Sequence, residues 1–218
     1  MRESYRIKVD VERVIGKIDP NIYGHFIEHL GRCIYGGIYE EDSPLSDERG
    51  FRKDVLEAVR NIRCPLLRWP GGNFASNYRW EDGIGLKDKR PVRFDLAWNK
   101  EETNRFGTDE FTEYCQAVEA EPYICVNLGT GNLDEAIHWL EYCNSKGNSY
   151  YAKLRAKNGH PEPYQVKYWG VGNENYGEWQ IGYRSAKEYA KVLREHAHFM
   201  KVVDPSIKII AVGADDPE

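Results

Sequence analysis

Val166-Lys167-Tyr168-Trp169-Gly170-Val171-Gly172-Asn173-Glu174-Asn175 decides the fold. Its first six residues form an apolar, aromatic-rich run that reads as a buried strand. Gly172 breaks the run, and a carboxylate flanked by two amides then projects from the strand's carboxyl end. In an α/β barrel that end carries the catalytic side chains. A lone loop carboxylate is more often a solvated surface charge. Here Trp169, Tyr176 and Trp179 surround it, and aromatic faces stack on the C–H faces of sugar rings. An amide beside a carboxyl also suits glycoside chemistry, the amide binding a ring hydroxyl while the acid protonates the leaving oxygen.

Outward from this strand the chain alternates strands and helices. Residues 5–15 alternate loosely and predict a strand, and Asp19-Pro20-Asn21 predicts a turn. A strand is expected over 22–28, then a helix near 48–62 with Phe51, Val55, Leu56, Val59 and Ile62 on one face. The next strand, 64–69, ends in Pro70-Gly71-Gly72-Asn73, and a long irregular loop runs to Gly107. Thr108 is placed as the cap of a helix whose first turn carries Asp109 and Glu110. A strand at 123–128 is followed by Gly129-Thr130-Gly131, and Asn132 with Glu135 forms a capping box for another helix. Ser185 and Glu188 form a second box, opening a helix that Asp204-Pro205 stops near 203, and a last strand spans 207–212.

Five strands alternating with four helices imply a parallel sheet with helical crossovers. The polar residues Glu28, Asn73, Asn127 and Glu174 collect at strand carboxyl ends, which fits a (β/α)₈ barrel. A doubly wound sheet would place a glycine-rich phosphate turn after strand one, where this chain has His25-Phe26-Ile27-Glu28-His29-Leu30-Gly31. A closed barrel takes eight strands and about 250 residues. The expected fold is therefore α/β, an incomplete (β/α)₈ TIM barrel of about five strands. Residues 1–18 are read as an N-terminal strand segment and 19–218 as the partial barrel.

Composition narrows the function classes. The 218 residues are 41% hydrophobic and 13% aromatic, enough for a substantial core. A net charge of −5 argues against nucleic acid or an anionic membrane as partner. No stretch approaches a membrane span, and Met1-Arg2-Glu3-Ser4-Tyr5-Arg6 lacks an apolar leader, so the cytoplasm is the default expectation. Cys33, Cys64, Cys115, Cys125 and Cys143 contain no CxxC pair and read as buried free thiols.

His25-x-x-Glu28-His29 matches an inverted zinc-protease pattern, which requires a helix. The surrounding Ile22, Tyr23, Phe26 and Ile27 argue strand, so no metal is assigned, and each histidine reads as a hydrogen-bonded core or cleft group. Gly170-x-Gly172 and Gly129-x-Gly131 lack the third glycine of a dinucleotide fingerprint, no nucleophile elbow occurs, and no cofactor is implied. Arg68-Trp69-Pro70-Gly71-Gly72-Asn73 is more specific. Its glycines allow a tight turn at a strand end, after which Asn73 offers a donor and an acceptor to a ligand.

Together, Ile22-Tyr23-Gly24-His25-Phe26-Ile27-Glu28-His29, Arg68-Trp69-Pro70-Gly71-Gly72-Asn73 and Trp169-Gly170-Val171-Gly172-Asn173-Glu174-Asn175 resemble the α-L-arabinofuranosidases of glycoside hydrolase family 51. The resemblance runs from Tyr5 to the end of the chain. It implies a retaining enzyme releasing terminal arabinofuranose from arabinan and arabinoxylan fragments, built as a (β/α)₈ barrel plus a jelly-roll domain that takes in the N-terminal segment. It implies Glu174 as general acid/base and Asn173 as the amide on the sugar's 2-hydroxyl. Glu28 and Asn73 match residues that hydrogen-bond the arabinofuranose hydroxyls, while Phe26 and Trp98 fall where cleft aromatics are expected. Homo-oligomers are common among such enzymes. The family's nucleophile, a glutamate after strand seven, has no counterpart in five strands, and Asp215 and Asp216 are weak substitutes. The expectation is half of a catalytic pair. The alternatives are a non-catalytic sugar-binding product and a β-xylosidase or endoglucanase of the same barrel clan.

Overall fold

In the computed structural model, which describes residues 5–214, the first strand, β1 (His25–Phe26), is much shorter than the apolar run around it. Asp19 accepts from the Asn21 backbone N–H at 2.9 Å, and Pro20 opens a 3₁₀ turn over Pro20–Tyr23. That local hydrogen bond withdraws the first half of the expected strand from pairing. The helix α1 (Lys53–Asn61) likewise starts later than periodicity predicts. Asp47 accepts from the backbones of Arg49 and Phe51, and Phe51 bridges to Tyr39, so the residues before Lys53 form a turn. Arg63, at φ 52°, lies just beyond the helix end.

Strand β2 (Leu66–Trp69) ends in a cis Trp69–Pro70 bond. The long loop after it contains an antiparallel hairpin, β3 (Arg93–Asp95) and β4 (Lys100–Glu102), which the sequence did not announce. Helix α2 (Thr108–Val118) is capped by Gly107 and not by Thr108: the Gly107 N–H donates to Glu110 Oε2 at 2.8 Å. The Thr108 hydroxyl instead accepts from the Trp139 indole at 3.0 Å.

Strand β5 (Glu121–Val126) precedes α3 (Leu133–Asn144), where Asn132 Oδ1 accepts from the Glu135 N–H as expected. A further helix, α4 (Tyr150–Lys157), is tied to the end of α3 by Arg155, which donates to the carbonyls of Tyr142 and Ser145. Strand β6 (Tyr168–Val171) leads to α5 (Ala186–Val203), opened by the Ser185–Glu188 capping box, and then β7 (Lys208–Ile210).

The sheet order is β1-β2-β5-β6-β7 and every pairing in it is parallel. The result is an α/β arc of a (β/α)₈ barrel, with the carboxyl ends of the five strands along one rim. The aromatic excess goes chiefly into its interior. Trp69 stacks on Phe111 at 5.0 Å, and Trp80 lies parallel to Trp139 at 5.9 Å. Each such ring contributes about 4–6 kcal/mol of apolar burial at most. Trp169, expected in the cleft, belongs to this core: it is fully buried and donates to the Val166 carbonyl.

The strand expected over 5–15 does not form. Residues 5–18 take no regular strand, and Ile7, Val9, Val11 and Val14 stand exposed. Alternation alone cannot make a strand, which needs a neighbour to fill its hydrogen bonds. Cys64, Cys115, Cys125 and Cys143 are buried, whereas Cys33 is exposed. Among the described residues no helix is long and apolar enough to cross a membrane.

Candidate active site

The rim is organised around Glu28, Arg68 and Asn173. Glu28 is buried, and its Oε1 accepts from the Phe74 N–H at 3.1 Å and from the Trp98 indole at 3.2 Å. Gly71 makes that approach possible, since a Cβ there would fall 2.3 Å from Glu28 Cγ. Among the described residues no donor reaches Glu28 Oε2, which leaves this oxygen to accept from a ligand.

Arg68 Nη2 donates to Asn173 Oδ1 at 2.6 Å and lies 3.7 Å from Cys125 Sγ. Its guanidinium also lies 5.8 Å from the Phe26 ring and 5.8 Å from the Tyr123 ring. With Oδ1 committed to Arg68, the buried Asn173 amide has its N–H donors left over, and Nδ2 reaches Asn73 Oδ1 at 3.4 Å. The ends of β2 and β6 are thereby linked, and Asn73 keeps its own NH₂ for a ligand. Phe26 is more than half exposed above this group, and Trp98 is half-buried beside it.

Glu174 follows Asn173 at a φ of 45°, a conformation costly for a residue with a Cβ and typical of functional turns. Gly172 precedes it at φ 87°, and a Cβ at Gly172 would collide with Asn175 Oδ1 at 2.0 Å. The tight turn aims Glu174 out of the strand end, where Oε2 accepts from the Trp179 indole at 3.0 Å. Tyr176 and Trp179 meet edge to face at 6.1 Å, both exposed, and line a cavity of about 540 Å³ with Tyr183, Tyr189 and Val212.

Two strand-end amides prove structural. Asn127 is buried and spends both ends of its side chain on the chain itself: Nδ2 donates to the Tyr78 carbonyl and Thr130 Oγ1, and Oδ1 accepts from the Gly129 and Thr130 N–H groups. Asn175 Nδ2 donates to the Gly182 carbonyl, tying the loop after β6 back on itself. The two histidines of the HxxEH pattern part company: His25 is exposed, while His29 is buried with both ring nitrogens engaged, by Trp69 and by Glu102. Asp215 and Asp216 lie outside the described residues.

Sequence reasoning gave Arg68 no role. The signal was available as a charge inside the apolar run Leu66-Leu67-Arg68-Trp69, since a partly buried guanidinium requires partners. Burial also shapes the rim's electrostatics. It pushes the Cys125 thiol up, against the opposing pull of Arg68, so this thiol is a neutral donor to the Gly172 carbonyl at 2.9 Å. On α3 the Glu135 carboxyl is pushed up to about 7, first by burial, with Arg79 opposing and Glu81 and Asp82 adding to the rise.

Residues 58–218 match the family model described as the alpha-L-arabinofuranosidase 1 domain. The chain is 54% identical to a probable alpha-L-arabinofuranosidase C of Aspergillus fumigatus, covering 98% of this chain and 42% of that protein. It is 47% identical to an intracellular exo-alpha-(1->5)-L-arabinofuranosidase of Acetivibrio thermocellus, covering 98% of this chain and 42% of the relative. The structure superimposes on the arabinose complex of an alpha-L-arabinofuranosidase from Thermotoga maritima with a TM-score of 0.92 at 72% identity, over 94% of this chain and 42% of that one. The chain thus spans about two fifths of the length of each.

Proposed function

Because the chain belongs to the family of the alpha-L-arabinofuranosidase 1 domain, the family-51 arabinofuranosidases whose motifs it carries, we propose that it forms the sugar-binding and proton-donating part of a retaining arabinofuranosidase. The observation that carries this reading is the Arg68–Asn173–Asn73 linkage beside Glu28, which brings an amide donor of Asn173, the NH₂ of Asn73 and a free carboxylate oxygen to one rim. Three adjacent groups of that kind suit the vicinal hydroxyls of one pentofuranose. Asn173 Nδ2 donates to the 2-hydroxyl, while Glu28 and Asn73 take the remaining ring hydroxyls. Phe26 and Trp98 cover the apolar faces. The substrate is a terminal non-reducing α-L-arabinofuranosyl unit of an arabinan or arabinoxylan oligosaccharide.

Glu174, on its strained turn, donates a proton to the leaving oxygen and then takes one from the incoming water. Retention needs a second carboxylate about 5–5.5 Å from the first. Glu28 is read as the acceptor of a sugar hydroxyl, and the family resemblance implies a second glutamate, at the end of the complete barrel's strand seven, as the nucleophile. Residues 1–18 are assigned to a companion β-sandwich, which would supply the exposed Ile7, Val9 and Val11 with a sheet. The cytoplasm is the proposed location, in keeping with the relative named intracellular, and a homo-oligomer the proposed assembly of the complete enzyme.

Incomplete catalysis is the second reading, for residues 1–218 taken alone, and the same experiment tests both. The purified chain is offered an aryl α-L-arabinofuranoside, by itself and fused to the strands that close the barrel. No turnover alone and turnover in the fusion are expected. Robust turnover by a monodisperse sample of the chain alone would overturn the external nucleophile. No turnover in a folded fusion would overturn the arabinofuranosidase assignment.

A further inference from the structure

We propose that the buried His29–Glu102 pair is a positioning device: it holds the β3–β4 hairpin, and through it the Trp98 indole, on the carboxylate of Glu28. The proposal rests on reading Glu28 as the acceptor of a sugar hydroxyl.

The pair has one consistent arrangement. His29 Nε2 lies 3.0 Å from Trp69 Nε1, and an indole N–H only donates, so Nε2 is the acceptor. The ring proton is therefore on Nδ1, where it donates to Glu102 Oε2 at 3.0 Å. Glu102 Oε1 accepts from the Tyr35 hydroxyl at 2.5 Å and from the Asn104 N–H at 2.7 Å. Burial alone would raise this carboxyl, but the donors, His29 first, hold it below the usual carboxylate range.

Glu102 closes β4, and Asp95, at the end of β3, accepts from the Ala97 N–H at 2.9 Å. Trp98 hangs on the turn between these two fixed ends. Two polar anchors hold the hairpin to the barrel: Arg93 of β3 donates to Asp82 at 2.8 Å, and Glu102 of β4 meets His29. The hairpin's apolar residues Phe94 and Leu96 are more than half exposed, and Phe94, Leu96, Phe74 and Tyr78 line a cavity of about 290 Å³. An apolar surface beside a cavity forfeits dispersion contacts, so the polar anchors carry more of the placement, and of the two the His29–Glu102 pair is the buried one. His29 also stacks on Phe74 at 4.3 Å, and the Phe74 N–H is the other donor to Glu28 Oε1. Both groups that hold Glu28 are thus reached from one imidazole.

Hydroxyl-radical footprinting read by mass spectrometry follows each tryptophan separately and tolerates self-association. In Glu102→Ala, loss of a hydrogen bond of ordinary strength should raise Trp98 oxidation by roughly two- to tenfold. Trp139 and Trp169 should stay protected, and Glu102→Gln, which keeps an acceptor for His29 but turns its NH₂ toward the Asn104 N–H, should leave Trp98 between the parent and the alanine variant. An unchanged Trp98 in Glu102→Ala overturns the proposal. A rise shared by all tryptophans in the glutamine variant overturns it too, because that is general destabilisation. Should the alanine variant itself unfold, Tyr35→Phe is judged by the same criterion. L-Arabinose is the separate control on the site: it should slow oxidation of Trp98 in the parent chain and fail to do so in Glu102→Ala. If arabinose protects nothing while the oxidation rates follow Glu102, positioning stands and the sugar-site reading falls. If arabinose protects Trp98 equally in both chains, the site stands and positioning falls.

Discussion

The two sides of the rim are held very differently. Around Glu28 and Arg68, carboxylate, guanidinium and amide are joined by hydrogen bonds from β1, β2, β6 and the β3–β4 hairpin, much of it buried. Glu174 stands on a strained turn, half-exposed, with one indole as its described partner. The contrast follows from chemistry. Groups that bind a sugar in its ground state gain from fixed geometry. On the proposed reading Glu174 is an acid/base, which must exchange a proton with solvent and substrate and works against a second carboxylate.

Removing Glu174, the proposed acid, should produce the largest effect. In the chain fused to its closing strands, Glu174→Ala should lower kcat by about 10²–10⁴-fold on substrates with poor leaving groups. Activated aryl arabinofuranosides, which need little protonation, should lose much less. Equal losses on both substrates would assign Glu174 to binding and erase the contrast.

The bound side predicts a smaller kinetic loss accompanied by a stability loss. Arg68→Ala and Glu28→Ala should each lower kcat/KM by roughly ten- to a hundredfold, the value of a hydrogen bond to a charged partner. Glu28→Ala also strands the buried Phe74 N–H, so the melting temperature should fall, whereas Glu28→Gln keeps an acceptor and should restore it. A Glu28→Ala chain with unchanged stability would mean that its carboxylate faces ligand alone.

Asn127→Ala sharpens the boundary between site and scaffold. Its side chain holds the loop at Gly129 and Thr130 and the backbone at Tyr78. Truncation should cost about 1–3 kcal/mol in denaturant unfolding, with kcat/KM in the fused enzyme changed far less than in Glu28→Ala. The reverse pattern would return Asn127 to the site.

What was legible in the sequence follows the same division. The barrel rhythm and the strand-end positions of Glu28, Asn73, Asn173 and Glu174 were readable because apolar runs broken by glycine are a one-dimensional signal. The split of polar residues into those with atoms left unpaired and those satisfied by the chain itself was not. Asn73 and Asn127 look alike in sequence, and only the backbone around each decides whether its amide is already spent. Trp169 and Trp179 likewise read as one cleft, yet one faces the core and the other the Glu174 carboxylate. The short β3–β4 hairpin was hidden because three-residue strands carry no measurable period. The N-terminal alternation was legible as a pattern, but its pairing depends on a sheet that residues 5–214 do not provide.

The smallest prediction concerns Glu135, which shares a cavity with Arg79, Asn132 and Thr130, the residue that Asn127 holds. Burial raises its carboxyl from the ordinary 4.5 to about 7. A raised folded value means that the native chain keeps a proton which the unfolded chain has already released. Between about pH 4.5 and 7 the folded state therefore binds more protons, and stability declines as pH rises through this window, with no further change above it. Glu135 is still partly exposed, so solvent screening limits the effect to about 1 kcal/mol. Asp95, Asp109 and Glu113 are also raised by burial and contribute declines of their own, so the measurement is a difference between two chains. Glu135→Gln cannot ionise, and its denaturant midpoint should gain on that of the parent from pH 5 to pH 8. If the two midpoints stay parallel across that range, Glu135 is solvated, and the rim beside Asn127 is more open than the strand-end network implies.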